Sequence, residues 1–256
     1  MLSTLIFLAV ISILVFVHEL GHFLAARLFG VGVRSFAIGF QPTVWSKTVG
    51  QTTYKINAIP MGGYVALVGE GDDTEDNLDN KHFRKDQYLN NKLWWQKIII
   101  LIAGIMFNFI FAALVLVVLS VSLHGLSGFV SGWQLYMHVT GEVVIGIGQF
   151  FGGLFSGGGL GDVSGPVGIA KILGDAATVG IGQVAFLSAL LSINLGLMNL
   201  IPFPALDGGQ IMVVIIEQII GRPLSPKVQG IINMIGFGAL ILLMVIVSVK
   251  DVINLF

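Results

Sequence analysis

Residues Leu2 to Phe29 read LSTLIFLAVISILVFVHELGHFLAARLF, and this stretch decides the class of the whole chain. From Leu2 to Val17 it contains no charged residue, and it is long enough to cross the roughly 30 Å of a bilayer's hydrocarbon as a helix. A secretory signal would place positive charge ahead of its apolar run. None precedes this one, so we read it as a retained membrane helix. It then carries His18-Glu19-Leu20-Gly21-His22. A helix turns about 100° per residue, which puts His18 and His22 roughly 40° apart on one face. Two imidazoles at that spacing can share a metal ion.

Composition agrees with a membrane protein. Of 256 residues, 55% are hydrophobic and 11% charged, too little charge to cover a soluble surface. Mean hydropathy is +0.91. A net charge of −1 gives no attraction to nucleic acid. With no cysteine, disulfides and thiolate metal sites are excluded, and any metal must use His and carboxylate ligands.

The expected fold is an α-helical polytopic membrane protein of about four transmembrane helices, with a small membrane-associated β element after the first helix. The segments are residues 1–30, the first span; 31–92, a cytoplasmic β region and acidic loop; 93–123, the second span; 124–180, a short linker and partly embedded helix; 181–220, the third membrane region; and 221–256, the last span. In the β region, Tyr54 to Ile59 alternates like a strand. The acidic run from Glu70 to Asp79 lacks calcium-loop spacing and reads as a solvated loop. Trp133 to Phe155 is apolar but glycine-rich and carries Glu142, as expected of a partly embedded or interfacial helix.

Eight of the 13 Lys and Arg residues lie between Arg34 and Lys97, and Arg222 and Lys227 fall between the third and fourth spans. By the positive-inside rule these two connections are cytoplasmic and both termini lie outside.

Polar residues inside apolar helices are costly and usually functional. Zinc lowers the pKa of a bound water to about 7, and a carboxylate such as Glu19 can take its proton; His-Glu-x-x-His is a known zinc-protease pattern. The alternative is that the two histidines are satisfied within a helix bundle. Catalytic zinc has three protein ligands. His82, His124 and His138 are poorly placed, whereas Asp207 sits after Pro202 and Pro204 and before Gly208-Gly209. Broken backbone at membrane depth lines a cavity or a site. Asp207 could also cap the helix that follows it. The amides of Asn194 and Asn199 could bind a substrate backbone or an oxyanion, or tie helices together. Asn108 is less distinctive.

Phe16-Val17-His18-Glu19-Leu20-Gly21-His22-Phe23, together with Ser192 through Gly209 (SINLGLMNLIPFPALDGG), resembles the site-2 protease family of intramembrane metalloproteases, particularly its bacterial regulated-proteolysis members. Phe36 to Phe40 through Gly62-Gly63-Tyr64, and Ser164-Gly165-Pro166-Val167-Gly168, are similar to the family too. The resemblance implies Zn2+ held by His18, His22 and Asp207, Glu19 as catalytic base or acid, and Asn194 and Asn199 contacting substrate. It also implies an inner-membrane protease acting on single-span proteins such as anti-sigma factors or signal-peptide remnants. Many such relatives insert PDZ domains after the second span, and the stretch Ser122 to Gly132 is too short for one. The rival reading is a membrane metal-binding or transport protein without hydrolysis, which would have no need of Glu19. An extended substrate is expected to add to an edge strand within Tyr54 to Val68.

Overall fold

A computed structural model describes residues 2–70, 83–156 and 164–253. The acidic run beyond Glu70 lies outside them. The elements in order are α1 (Leu2–Leu28), β1 (Val33–Val49), β2 (Thr52–Leu67), α2 (Trp94–His124), α3 (Gly128–Ser156), α4 (Pro166–Val179), α5 (Ile181–Leu200), α6 (Asp207–Ile220) and α7 (Pro226–Ile253). Among the described residues, four stretches are long and apolar enough to cross a membrane: Leu2–Leu28, Trp94–Phe150, Ile181–Leu200 and Lys227–Ile253. The chain divides into two compact units, and long helices contribute a part to each.

The first unit comprises residues 11–70, 83–107 and 198–237. Its core joins Ala25 and Ala26 of α1, Val33 of β1, Leu67 of β2 and Ile100 of α2. Gly21 makes the α1–α2 contact close: a Cβ there would stand 2.8 Å from the Gly104 Cα. The two strands form one bent sheet. β1 turns at Gly39 (φ +80°) and β2 at Gly62 (φ +93°), conformations that glycine adopts without strain. Tyr54 lies opposite both Phe36 and Lys47, and Lys55 opposite both Ala37 and Ser46. This part of β2 is therefore interior to the sheet, which corrects the expectation that Tyr54 begins a free edge. Tyr64 and Val65 pair on one side only, with Ala37 and Phe36. Phe36 in turn packs edge-on against Phe16 and Phe23 of α1, with ring centroids 5.6 and 5.3 Å apart.

The second unit comprises residues 2–10, 108–156, 164–197 and 238–253. The stretch expected to be partly embedded is the 29-residue helix α3, folded back on α2 through Gly125, at φ +65°. Gly132 allows the close approach, since a Cβ there would meet the Val117 Cα at 2.7 Å. The Ser120 and Ser131 hydroxyls pair at 2.9 Å. Ala112 and Leu116 of α2, Val139 of α3, and Ala189 and Ile193 of α5 form the apolar core. Asn108 is fully buried, and its carbonyl accepts the Ser192 hydroxyl at 2.9 Å. The Asp251 carboxylate, on α7, accepts the Gly168 N–H at 2.8 Å. It thereby satisfies a donor in the first turn of α4, which has no side-chain cap of its own.

Candidate metal centre

One turn of α1 separates His18 from His22, and their Nε2 atoms lie 3.2 Å apart. Asp207 Oδ2 stands 3.1 Å from the first and 3.3 Å from the second. Three donor atoms around a tetrahedral zinc, each bonded at about 2.0–2.1 Å, would be separated by roughly 3.3 Å. Both histidines are buried, and the Asp207 side chain is 13% exposed.

The hydrogen bonding fits a cation at this point. His22 Nδ1–H donates to the Ile100 carbonyl at 2.8 Å. That bond fixes the tautomer and leaves the Nε2 lone pair facing the buried Asp207 Oδ2, for which no donor other than the two imidazoles is found among the described residues. Two acceptors in such proximity repel each other unless a cation or proton lies between them. Glycine 104 makes room for the arrangement, because a Cβ there would run into the His22 imidazole.

The chain after α5 explains how Asp207 arrives. Pro202 and Pro204 have no N–H to continue a helix. Ala205 takes the left-handed region at φ 72°, a strained conformation for a residue with a side chain. Leu206 is the N-cap, and Asp207 is the first helical residue of α6, so its carboxylate is directed to the imidazoles instead of capping the helix. A side chain on Gly208 or Gly209 would strike the carbonyls of Leu200, Ile201 or Phe203. The Asp-Gly-Gly order is thus a steric requirement of the turn.

Glu19 completes the cluster. Its Oε2 accepts the Val65 N–H of β2 at 2.9 Å. Together with the three candidate ligands it lines a cavity of about 280 Å³ that extends past Glu70 and Lys97 to Glu217 and Gln229. Burial pushes the Glu70 carboxyl up to about 7, which favours its neutral form. Asn199 is half-buried near the end of α5 and is not part of this lining. Asn194 is half-buried in the second unit. Among the described residues, His18, His22 and Asp207 are the one group of His and carboxylate side chains spaced to hold a metal ion.

Comparison with known proteins agrees with this chemistry. The model of peptidase family M50 matches residues 6–243. The chain belongs to peptidase family M50, the site-2 proteases. Relatives include the "Putative zinc metalloprotease FN1322" of Fusobacterium nucleatum, 29% identical with all of both chains covered. Zinc metalloprotease RasP of Shouchella clausii is 45% identical over 121 residues, 47% of this chain and 28% of that one. "Probable protease eep" of Enterococcus faecalis is 48% identical over 105 residues, 41% of this chain and 25% of that one. The Fusobacterium alignment runs over 349 positions, more than the 256 residues here, so that relative has residues without a counterpart in this chain. In this M50 chain the connection from α2 to α3 is the single turn Gly125–Ser127, with no room for a domain. The chain is an integral membrane zinc metalloprotease of the M50 family.

Gly104, the Ile100 carbonyl and the Val65 N–H were not foreseen from the sequence, and Glu70, expected in a solvated loop, instead lines the cavity. Gly104 had a signal, as the single glycine of the 31-residue α2. The two backbone groups had none.

Proposed function

We propose that this M50 chain hydrolyses peptide bonds within or near the transmembrane segments of single-span membrane proteins, with Zn2+ held by His18, His22 and Asp207. The observation carrying this reading is the convergence of two imidazole nitrogens and one carboxylate oxygen within 3.1–3.3 Å, with Glu19 beside them in one cavity. When bound, zinc lowers the pKa of water to about 7 and polarises a carbonyl oxygen. Glu19 takes the proton of the attacking water and returns it to the leaving amine. The Ile100 carbonyl keeps the His22 ring in its working tautomer. Asn194 and Asn199 donate side-chain N–H groups to the substrate, a role that rests on the matching family motif.

A substrate helix hides its carbonyls in its own hydrogen bonds, so it must unwind before cleavage. The β2 edge at Tyr64 and Val65, which pairs with β1 on one side only and lines the cavity, is suited to receive the unwound segment as an added strand through its carbonyls, the Val65 N–H being held by Glu19. N-methylating the substrate backbone beside the scissile bond should then raise KM, and an unchanged KM would sink the strand-addition step.

The positive segments support cytoplasmic first and third connections and termini outside, and a bacterial inner membrane is what the family resemblance implies. Substrates of the expected kind are anti-sigma factors and signal-peptide remnants. The test is cleavage of a single-span model substrate in detergent or liposomes by wild type and by Glu19→Gln. Cleavage by wild type, abolished in Glu19→Gln with zinc retained, is expected. Equal cleavage by both would undercut the enzyme reading built on Glu19, and metal flux without any cleavage would favour the transport reading.

A further inference from the structure

We infer that the backbone N–H of Val65 is the positioning group for Glu19, so that the sheet edge orients the catalytic carboxylate. This rests on the reading of Glu19 as the base. A glutamate has three rotatable bonds and, on a helix, no intrinsic reason to hold one orientation. Here Oε2 is tied to Val65 N–H at 2.9 Å, which leaves Oε1 as the oxygen that exchanges protons.

The donor is held in place by a closed ring of contacts. Phe16, Glu19 and Phe23 stand at i−3, i and i+4 on α1, which places them on one face. Phe16 and Phe23 both pack on Phe36 of β1. Phe36 is the sheet partner of Val65, and Val65 returns to Glu19. The same helix face therefore carries the base and the aromatic clamp that fixes the base's hydrogen-bond donor. Gly63 keeps this end of the strand tight against β1, as a Cβ there would approach the Ala37 carbonyl to 2.6 Å. The sheet thus has a part in the chemistry whatever it does in substrate binding.

The experiment replaces the Tyr64–Val65 amide by an ester, which removes this one N–H and keeps the valine side chain. We expect kcat to fall about ten- to a hundredfold, a part of the 10²–10⁴ that a positioned base contributes. KM should stay within about threefold, with zinc content unchanged. An ester at Ala66, whose N–H belongs to the same strand, gives the purely structural cost and should change kcat by less than about threefold. A second readout needs no catalysis: amide exchange at Val65, by mass spectrometry or NMR, should accelerate at least about tenfold in Glu19→Ala. An unchanged kcat in the zinc-loaded Val65 ester, or unchanged Val65 exchange in Glu19→Ala, overturns the inference. If the ester loses zinc or fails to fold, the exchange measurement decides. A wild type that cleaves nothing would defeat the protease reading and leave the exchange result to stand or fall alone.

Discussion

The two units of the molecule both bury polar side chains, and the sheet-bearing unit adds a cluster of a different kind. In the helical unit, Ser192 reaches the Asn108 carbonyl, Ser120 pairs with Ser131, and Asp251 receives the Gly168 N–H. Each of these is an acceptor or hydroxyl meeting a donor or carbonyl, and each ties one helix to another. In the sheet-bearing unit, Thr52 and Asn57 are satisfied in the same way, by the carbonyls of Val33 and Gly39. The cluster of His22 Nε2 and Asp207 Oδ2 differs: acceptors face each other in a buried space. A buried polar residue in an apolar helix is therefore no sign of function by itself. A group of them left short of a proton or cation is.

That contrast can be broken by mutation. The largest effect is expected from Glu19→Gln, which should lower kcat by roughly 10²–10⁴ while leaving zinc content intact. Next comes Gly104→Ala, whose methyl group enters the space of the His22 ring. It should weaken zinc binding by about ten- to a hundredfold, the usual cost of disturbing a ligand's support, measured by competition with a chelator. Asp251→Ala, in the helical unit, should cost about 1–2 kcal/mol through the lost helix-start acceptor. Its zinc affinity and kcat should match wild type; a loss of zinc there would erase the distinction between the units.

The smallest effect concerns pH. Burial raises the Glu70 carboxyl from an ordinary 4.5 to about 7, so in that window the folded chain holds a proton that the unfolded chain has released. This contribution to stability is fully present below pH 4.5 and is lost as pH rises through 7. Glu70→Gln should therefore raise the unfolding midpoint of the zinc-free protein, relative to wild type, more at pH 8 than at pH 5.

Much of this was legible in the residues. Uninterrupted apolar runs marked α1, α2, α5 and α7, since length and hydropathy suffice for a spanning helix. His18, Glu19, His22 and Asp207 stood out because charge and imidazole are rare in such surroundings. Other features were invisible because they depend on tertiary pairing. Tyr54 to Ile59 alternates as any strand would, yet the bend at Gly39 brings β1 against Tyr54 and Lys55 on two sides. The glycine-rich stretch Trp133 to Phe155 suggested a partly embedded or interfacial helix; the close packing of α3 on α2 comes instead from Gly128 and Gly132, which precede that stretch. The Val65 N–H and the Ile100 carbonyl are backbone groups, present at every residue and specified only by where the fold puts them.

The proposed zinc ion is shared between α1 and the start of α6. Metal analysis of purified protein after dialysis against a weak chelator tests it most directly. One zinc per chain in wild type and in Glu19→Gln, with little or none in His22→Ala and Asp207→Ala, is the result expected. Full zinc retention in folded Asp207→Ala would contradict it.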